Sequence, residues 1–244
     1  MSRLFHVSDL HFGAEDRAAL DWFAGVVRDE EPDALIVTGD LTMRARSREF
    51  AAAGAWLEAF GIPISIEVGN HDLPYFNPFA RIFRPYGRFR KVERLIDRPI
   101  DLADVTIVPL RTTARAQWRL NWSKGRVNAT SLREALALAE AAPADHVVLV
   151  ACHHPLIEAD TRSTASTRGG LSALAALAIA GADAVLTGHV HDPFDIAHQE
   201  GGRTIRLIGA GTLSERIRDT APSFNEIEVV AGRIAVRVRA MPDG

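Results

Sequence analysis

The sequence lacks several features that would assign it to a special class. With one cysteine, Cys152, among 244 residues, it can form neither an intrachain disulfide nor a zinc site built from several thiolates. Its longest uncharged run, residues 169–182, has 14 residues, whereas a membrane-spanning helix needs about 17–25. The amino terminus has no charged segment, apolar segment and cleavage site of a secretory signal. We therefore expect a cytoplasmic protein with no membrane span.

A general excess of basic charge is also missing. The 28 Lys and Arg against 31 Asp and Glu give a net charge of −3, so no stable nucleic-acid partner is expected. The charge is uneven, however, because residues 81–126 contain twelve basic and four acidic residues. Aromatic residues are interleaved with these charges across residues 75–126. This pattern is typical of solvated faces, and it leaves open a substrate-anion site, a base-stacking site or a homodimer contact.

The hydrophobic periodicity predicts an α/β protein. Apolar strands at 4–8, 34–38 and 62–68 alternate with two segments whose apolar residues recur at helical spacing, which indicates parallel βαβ units. Ser47 is predicted to cap the second helix. Ser131 and Glu134 predict a capping box for a later helix, which must end before Pro143.

The rest of the chain continues this alternation and then changes. Strands are predicted at 105–108, 146–152 and 184–187, with a helix over 170–180. From residue 204 onward the apolar residues alternate with a period of two, which predicts antiparallel hairpins. No linker or repeat divides the chain, so residues 1–244 are predicted to form a single domain.

Polar residues able to bind metal ions follow five of the predicted strands. They form the sequences Asp9-Leu10-His11, Gly39-Asp40, Gly69-Asn70-His71-Asp72, His153-His154 and Gly188-His189-Val190-His191. The first three are separated by 27 and 28 residues, about the length of one βαβ step. Because open α/β sheets bind ligands at the carboxyl ends of their strands, we expect the five to converge.

The spacing within two of these sequences makes a further prediction. Side chains at i and i+2 of an extended chain point the same way, so Asp9 with His11, and His189 with His191, are each expected to approach one site. Carboxylate, amide and imidazole donors without thiolate suit Mn, Fe, Zn, Co or Mg. Seven candidate ligands exceed the needs of one tetrahedral centre, whereas two divalent ions sharing a carboxylate would use them and would catalyse phosphoryl transfer.

These five sequences, spread over residues 9–191, resemble the signature of the calcineurin-like metallophosphoesterase superfamily. The resemblance implies a four-layer α/β/β/α sandwich with two mixed sheets. It also implies a ligand set, with Asp9, His11 and His191 on one metal, Asn70, His153 and His189 on the other, and Asp40 bridging both. His71 would be catalytic without binding metal, stabilising the transition state and protonating the leaving oxygen.

Two neighbours of these residues are predicted to support them. His154 follows a candidate ligand and is either a partner that orients it or a plain loop residue. Asp72 is predicted to orient His71 or its loop. Arg44 and Arg46 follow Asp40 and are interpreted as surface residues, with contact to a substrate phosphate as the alternative.

A narrower resemblance concerns the substrate. His153-His154-Pro155 and Pro222-Ser223-Phe224-Asn225 are similar to sequences of bacterial class III cyclic-nucleotide phosphodiesterases and related glycerophosphodiesterases. This implies hydrolysis of a small phosphodiester or nucleotide, with 3′,5′-cyclic nucleotides as first candidates, by in-line attack of a metal-bridging hydroxide. A nuclease or a nucleotide or lipid pyrophosphohydrolase remains an alternative, and so, more remotely, does a metal-binding scaffold protein.

Overall fold

The computed structural model of the chain describes residues 1–96, 98–114, 123–159, 161, 167–200, 202–218 and 220–242. Trp118 and Trp122, in the basic and aromatic segment, lie outside the described residues. The strands are β1 (Ser2–Val7), β2 (Ala34–Val37), β3 (Ile64–Ile66), β4 (Val105–Pro109), β5 (Val147–Ala151), β6 (Ala184–Thr187), β7 (Phe194–Glu200), β8 (Arg203–Gly209), β9 (Ser223–Val230) and β10 (Arg233–Ala240). The helices are α1 (Arg17–Glu30), α2 (Ser47–Glu58), α3 (Pro78–Phe83), α4 (Phe89–Leu95), α5 (Ala129–Glu140) and α6 (Gly170–Ile179).

The strands form two five-stranded mixed sheets. The first has the order β10-β9-β1-β2-β3, in which β1, β2 and β3 are parallel, β9 is antiparallel to its neighbours β1 and β10, and β10 runs in the direction of β1. The second has the order β4-β5-β6-β8-β7, in which only β7 is antiparallel. The parallel strands of each sheet therefore end at a common edge, where polar loops can meet.

Three hydrophobic clusters separate four layers. Alternate residues of β1 face opposite sides, as the two-residue period of a strand requires: Phe5 packs toward α1 and α2, whereas Leu4 packs toward the other sheet. A third cluster joins the outer face of the second sheet to α5 and α6. The predicted α/β/β/α sandwich with two mixed sheets is confirmed.

Asn225, from the sequence used for the narrower resemblance, links the two sheets. Its Nδ2 donates to the Gly209 carbonyl on β8 at 2.9 Å and lies 3.3 Å from Nδ1 of His6 on β1. The other ring nitrogen of His6 is 3.0 Å from the hydroxyl of Thr38. Asn225 is 1% exposed, so its polar contacts serve to join the layers rather than to reach solvent.

Both predicted capping residues are wrong, Ser47 by one position and Ser131 by three. Helix α2 begins at Ser47 with Arg46 as the capping residue, and the Glu49 carboxylate accepts from the backbone amides of Arg44 and Arg46. Asn128 caps α5 by accepting from the amide of Ser131 at 2.9 Å. The Ser131 hydroxyl instead accepts from the amide of Arg111.

The structure also contains elements that periodicity did not predict. Strand β8 runs parallel to β6, and its antiparallel partner is the unpredicted edge strand β7. Helices α3 and α4 lie within the basic and aromatic segment, and α3 leaves Phe79 and Phe83 exposed, so that no apolar stripe marks it. Among the described helices, none combines the length and hydropathy that a membrane crossing requires.

Candidate metal centre

The five polar sequences meet where the parallel strands end. The loop after β1 is tied to the loop after β2, because the amides of Asp9 and His11 donate to the carbonyls of Gly39 and Asp40, each at 3.0 Å. The Gly69 backbone then approaches Asp40 so closely that a Cβ there would lie 2.0 Å from the Asp40 carboxylate. Only glycine fits this close approach.

The expected convergence of the paired residues occurs, but the geometric reason given for it is wrong. Asp9, His11, His189 and His191 have φ values of 56°, 47°, 72° and 64°, so they are left-handed rather than extended. Asp40 shares this conformation, with φ 51°. Such backbone is uncommon outside glycine and often marks functional sites. Tight turns, not strand alternation, therefore bring these side chains together.

One half of the centre joins Asp9, His11 and His191, for which the resemblance implied a shared metal. His191 Nε2 lies 3.0 Å from Asp9 Oδ1 and 3.3 Å from His11 Nε2. His11 Nε2 lies 3.6 Å from the same carboxylate oxygen. All three side chains are buried. Their potential ligand atoms therefore surround one small volume, as a common cation would require.

Asp40 connects this half to the other. Its Oδ2 lies 3.9 Å from His11 Nε2 and 3.4 Å from His153 Nε2, which belong to the two different predicted metal sites. His153 Nε2 also lies 3.1 Å from Asn70 Oδ1. The His189 ring is 5.2 Å from the His153 ring, centroid to centroid. This position between the two halves is the one that the bridging role of Asp40 requires.

Backbone carbonyls fix the outer nitrogens of two of these histidines. His153 Nδ1 lies 2.7 Å from the Thr38 carbonyl, and His191 Nδ1 lies 2.7 Å from the Arg216 carbonyl. A carbonyl only accepts, so each Nδ1 carries the proton and each Nε2 faces inward. This arrangement is typical of histidines that bind metals through Nε2.

The charges of the cluster call for cations. Although burial opposes it, Asp40 and Asp9 raise the pKa of His153 to about 9. Burial and the charge of His153 lower the pKa of His189 to about 3. His11 Nδ1 is buried without a hydrogen-bond partner in the described part of the chain, and Asp9 Oδ1 faces only the Nε2 atoms of His11 and His191, without a hydrogen bond. Unsatisfied buried acceptors are costly, and the donor types fit two divalent cations.

His154 has a different part from that of a ligand. One atom from each of His153, His154 and His189 lies within 4.8 Å of the others, but Nδ1 of His154 is 2.9 Å from the Thr112 hydroxyl and its Nε2 is 2.8 Å from the Ser123 carbonyl. Both nitrogens are therefore occupied. Its ring packs 4.6 Å from that of His189, so His154 contacts a predicted ligand, and this contact favours the orienting role over that of a plain loop residue.

Asp72 joins two loops of the site instead of contacting the His71 ring. Its carboxylate accepts from the amides of Leu41, Thr42 and Gly69, at 3.2, 2.9 and 3.0 Å, and from the Thr42 hydroxyl at 3.0 Å. Burial, together with the charge of Asp40, raises its pKa to about 7. Of the two roles predicted for Asp72, the geometry supports the one on the loop.

His71 lies at the edge of the cluster with both ring nitrogens engaged. Nδ1 is 2.7 Å from the Met43 carbonyl, and Nε2 is 3.1 Å from Nη1 of Arg216. A metal on Nε2 would have to displace this guanidinium, which agrees with a role that is not that of a ligand. The His71 amide donates to Asp40 at 2.8 Å, so its position depends on the same carboxylate.

Sequence reasoning missed Thr112 and Arg216, which contact His154 and His71. They follow β4 and β8, two further parallel strands that end at the same edge. Their signal was the strand-end position alone, without a recognisable motif. Arg44 is exposed, and the guanidinium of Arg46 lies 6.0 Å from the Phe76 ring, so neither makes the contact that Arg216 makes.

Glu67, which precedes the loop of residues 69–72, provides a test of the local electrostatics. Burial raises its pKa from 4.5 to about 8, partly opposed by Arg111 and His153 and reinforced by Glu93. The folded state therefore holds a proton that the unfolded state releases, and stability falls as pH rises from about 4.5 to 8. We expect the free energy of unfolding of Glu67→Gln, relative to that of wild type, to be higher at pH 8.5 than at pH 4.5. The difference should be a few kcal/mol, since a pKa shift of one unit corresponds to about 1.4 kcal/mol.

Urea unfolding of the metal-free protein at both pH values measures this difference. Glu58→Gln is the matched control, because Glu58 is exposed and the same substitution there should leave the pH dependence unchanged. Parallel stability curves for wild type and Glu67→Gln would contradict the assigned protonation of Glu67.

Comparisons with known proteins identify the family and the fold. The family described as calcineurin-like phosphoesterase matches residues 2–193. A search of curated proteins returned no match. Among solved structures, the chain is similar to a dimetal phosphatase from Danio rerio, with 14% identity, a TM-score of 0.71 and coverage of 98% of this chain and 96% of that one.

Two further structures share the fold. Purple acid phosphatase PPD1 from yellow lupin, Lupinus luteus, has 12% identity and a TM-score of 0.68 over 98% of this chain and 51% of that one. GAP50, described as the anchor in the inner membrane complex of Plasmodium, has 11% identity and a TM-score of 0.61, with coverage of 98% of this chain and 84% of that one. At these identities the structures show the fold alone.

The family match covers most of the chain and includes all five strand-end sequences. It confirms the resemblance, and metal-dependent hydrolysis of phosphoesters is the activity that membership suggests. The described His and Asp clusters are suited to the metals on which that activity depends. The chain belongs to the calcineurin-like phosphoesterase family.

Proposed function

We propose that this chain is a dinuclear metal-dependent phosphodiesterase that hydrolyses small diesters, with 3′,5′-cyclic nucleotides as the first candidates. The observation that carries the proposal is the position of Asp40, whose Oδ2 lies within 4 Å of histidines from both halves of the cluster. Such sharing suits a metal pair, which clamps the attacking and leaving oxygens of phosphoryl transfer.

In this proposal the predicted ligands divide as the resemblance implies. Asp9, His11 and His191 would hold one ion, Asn70, His153 and His189 the other, and Asp40 both. Bound ions would supply charge neutralisation and an activated water; Mn, Fe, Zn, Co and Mg all accept such donors. His71 stands beside this centre, and its ring would assist the departing oxygen once the substrate draws the Arg216 guanidinium away from Nε2. Thr38, Arg216 and His154 hold the histidines in place.

The choice of a diester over a monoester rests on the narrower resemblance. His153-His154-Pro155 and Pro222-Ser223-Phe224-Asn225 are similar to sequences of bacterial class III cyclic-nucleotide phosphodiesterases, which act on diesters.

Turnover of two related chromogenic substrates tests the proposal. Metal-stripped protein, before and after addition of Mn²⁺, is assayed with bis(p-nitrophenyl) phosphate and with p-nitrophenyl phosphate. We expect Mn²⁺-dependent hydrolysis with a higher kcat/KM for the diester, followed by hydrolysis of 3′,5′-cyclic AMP. A higher kcat/KM for the monoester would overturn the diesterase assignment, and absence of turnover with each of the five metals would overturn the enzymatic one.

A cavity lined in part by Arg111 and Thr113, the sequence neighbours of Thr112, favours a second candidate, hydrolysis of a larger anion such as a nucleic acid or a pyrophosphate. It has a volume of about 580 Å³, and Tyr86, Arg111, Thr113 and Arg126 are among its lining residues. The Arg111 guanidinium stacks 4.6 Å from the Tyr86 ring, which suits a base or a second phosphate. A nuclease would show affinity for duplex DNA falling by about 0.9 log unit per log unit of salt for each phosphate contacted.

We also propose that the enzyme acts in the cytoplasm as one domain over residues 1–244 and forms a homodimer. Four aromatic side chains near His71 support the dimer, since Tyr75, Phe76, Phe79 and Phe83 are 65–72% exposed and exposed apolar patches often mark interfaces. Analytical ultracentrifugation of wild type and Phe79→Ser tests this. A monomeric wild type at micromolar concentration would contradict it.

A further inference from the structure

One guanidinium outside the five strand-end sequences reaches the candidate centre. Arg216 lies in the loop that follows β8, and its Nη1 is 3.1 Å from His71 Nε2 and 3.7 Å from the sulfur of Met43. The side chain is partly buried, and no carboxylate lies within ion-pair distance of it in the described part of the chain. A half-buried cation that lacks an anionic partner is positioned to receive one from a ligand.

The hydrogen bonds of His71 define how this guanidinium is held. The Met43 carbonyl only accepts, so Nδ1 carries the ring proton. A guanidinium only donates, so Nε2 is the acceptor for Arg216. The His71 ring lies edge-to-face with that of His11, with centroids 4.8 Å apart. The guanidinium therefore rests against a residue in direct contact with a predicted ligand.

The backbone of the same loop is fixed independently of the Arg216 side chain. The Arg216 carbonyl accepts from His191 Nδ1 at 2.7 Å, and its amide donates to the Ser214 hydroxyl at 3.3 Å. The Thr212 hydroxyl donates to the Asp9 carbonyl at 2.7 Å. Because the first two contacts use backbone atoms of Arg216 and the third does not involve Arg216, substitution of its side chain should leave the loop and the metal ligands in place.

We propose that Arg216 binds a non-bridging oxygen of the substrate phosphoryl group. This inference rests on the proposed function, because it takes a phosphoester as the ligand. The contacts of Arg216 use Nη1, and Nε and Nη2 have no hydrogen-bond partner among the described residues. The planar fork of a guanidinium matches two phosphate oxygens. Arg216 is thus a substrate-binding residue that the family signature does not contain.

Binding of inorganic phosphate to the Mn²⁺-loaded protein tests the inference without requiring turnover. Isothermal titration is carried out with wild type, Arg216→Met, Arg216→Lys and Arg218→Met. Arg218 is an exposed arginine in the same loop, so its substitution makes the same change in charge away from His71. We expect the Kd for phosphate to rise about 10- to 100-fold in Arg216→Met, the range for loss of a hydrogen bond to a charged group, and by less in Arg216→Lys.

Metal content decides what a change in affinity means. Arg216→Met should keep the wild-type Mn²⁺ content, because its backbone carbonyl still holds His191. The inference would be overturned if Arg216→Met bound phosphate with a Kd within twofold of that of Arg218→Met. It would also be overturned if Arg216→Met, alone among the variants, lost Mn²⁺. The two proposals can fail separately. If wild type hydrolyses no ester, the proposed function is wrong. If Arg216→Met alone among the variants still binds phosphate weakly, the role of Arg216 in binding phosphate stands.

Discussion

Asp40→Asn should abolish the metal centre while leaving the fold intact. The substitution keeps the volume of the side chain and an acceptor for the His71 amide, but it removes the negative charge between His11 and His153. Loss of a group that merely supports a metal ligand costs about 10- to 100-fold in affinity or activity. Loss of a carboxylate shared by both ions should therefore lower turnover of bis(p-nitrophenyl) phosphate by more than about 100-fold.

Metal analysis by plasma mass spectrometry, after dialysis against trace Mn²⁺, measures the cause directly. We expect about two ions per chain in wild type and fewer than one in Asp40→Asn. Asp29→Asn is the control, because Asp29 has a side chain 75% exposed and the substitution alters net charge equally. Wild-type metal content and turnover in Asp40→Asn would refute the bridging assignment.

The sequence predicted the edge of the sheets at which the site lies, because the positions of the strand ends follow from the local pattern of apolar residues. Hydrophobic periodicity located β1, β2, β5 and β6, and each strand that ended in Asp or His had to deliver it to the common edge. The ligand atoms of Asp9, His11 and His191 do lie within 4.8 Å of one another. The left-handed backbone of these residues was not predictable, since non-glycine residues adopt it only when their surroundings enforce it.

The parts that were missed depend on contacts between distant segments. Arg216 belongs to no recognisable motif, and it reaches the site because β8 pairs in parallel with β6. The alternating pattern of β8 alone had predicted an antiparallel hairpin. Ser131 matched a capping box, but Asn128 reached its amide first. The sequence left open whether Asp72 orients His71 or its loop, and the three amides that converge on its carboxylate from two loops favour the loop. Which of several possible groups becomes the hydrogen-bond or strand partner depends on the tertiary structure and cannot be read from local sequence.

His71→Ala should separate catalysis from metal binding. Neither ring nitrogen of His71 is free to bind a metal, because Met43 and Arg216 occupy them. We therefore expect wild-type Mn²⁺ content in the variant. The rate should fall by about 10²- to 10⁴-fold, the range for removal of a group that assists proton transfer. Steady-state kinetics with bis(p-nitrophenyl) phosphate, together with metal analysis of the same samples, measures both quantities.

His71→Gln distinguishes the two ways in which the histidine can act. A glutamine amide can donate to the Met43 carbonyl and accept from Arg216, so it can restore the position of the guanidinium, but it cannot transfer a proton. We expect His71→Ala to raise the Kd for inorganic phosphate, because it removes the acceptor that holds the Arg216 guanidinium. If His71 assists the departing oxygen chemically, His71→Gln should restore the wild-type Kd while kcat stays as low as in His71→Ala. Recovery of kcat by His71→Gln would instead show that His71 serves only to hold Arg216. The comparison thus assigns the rate loss either to the imidazole itself or to the cation it positions.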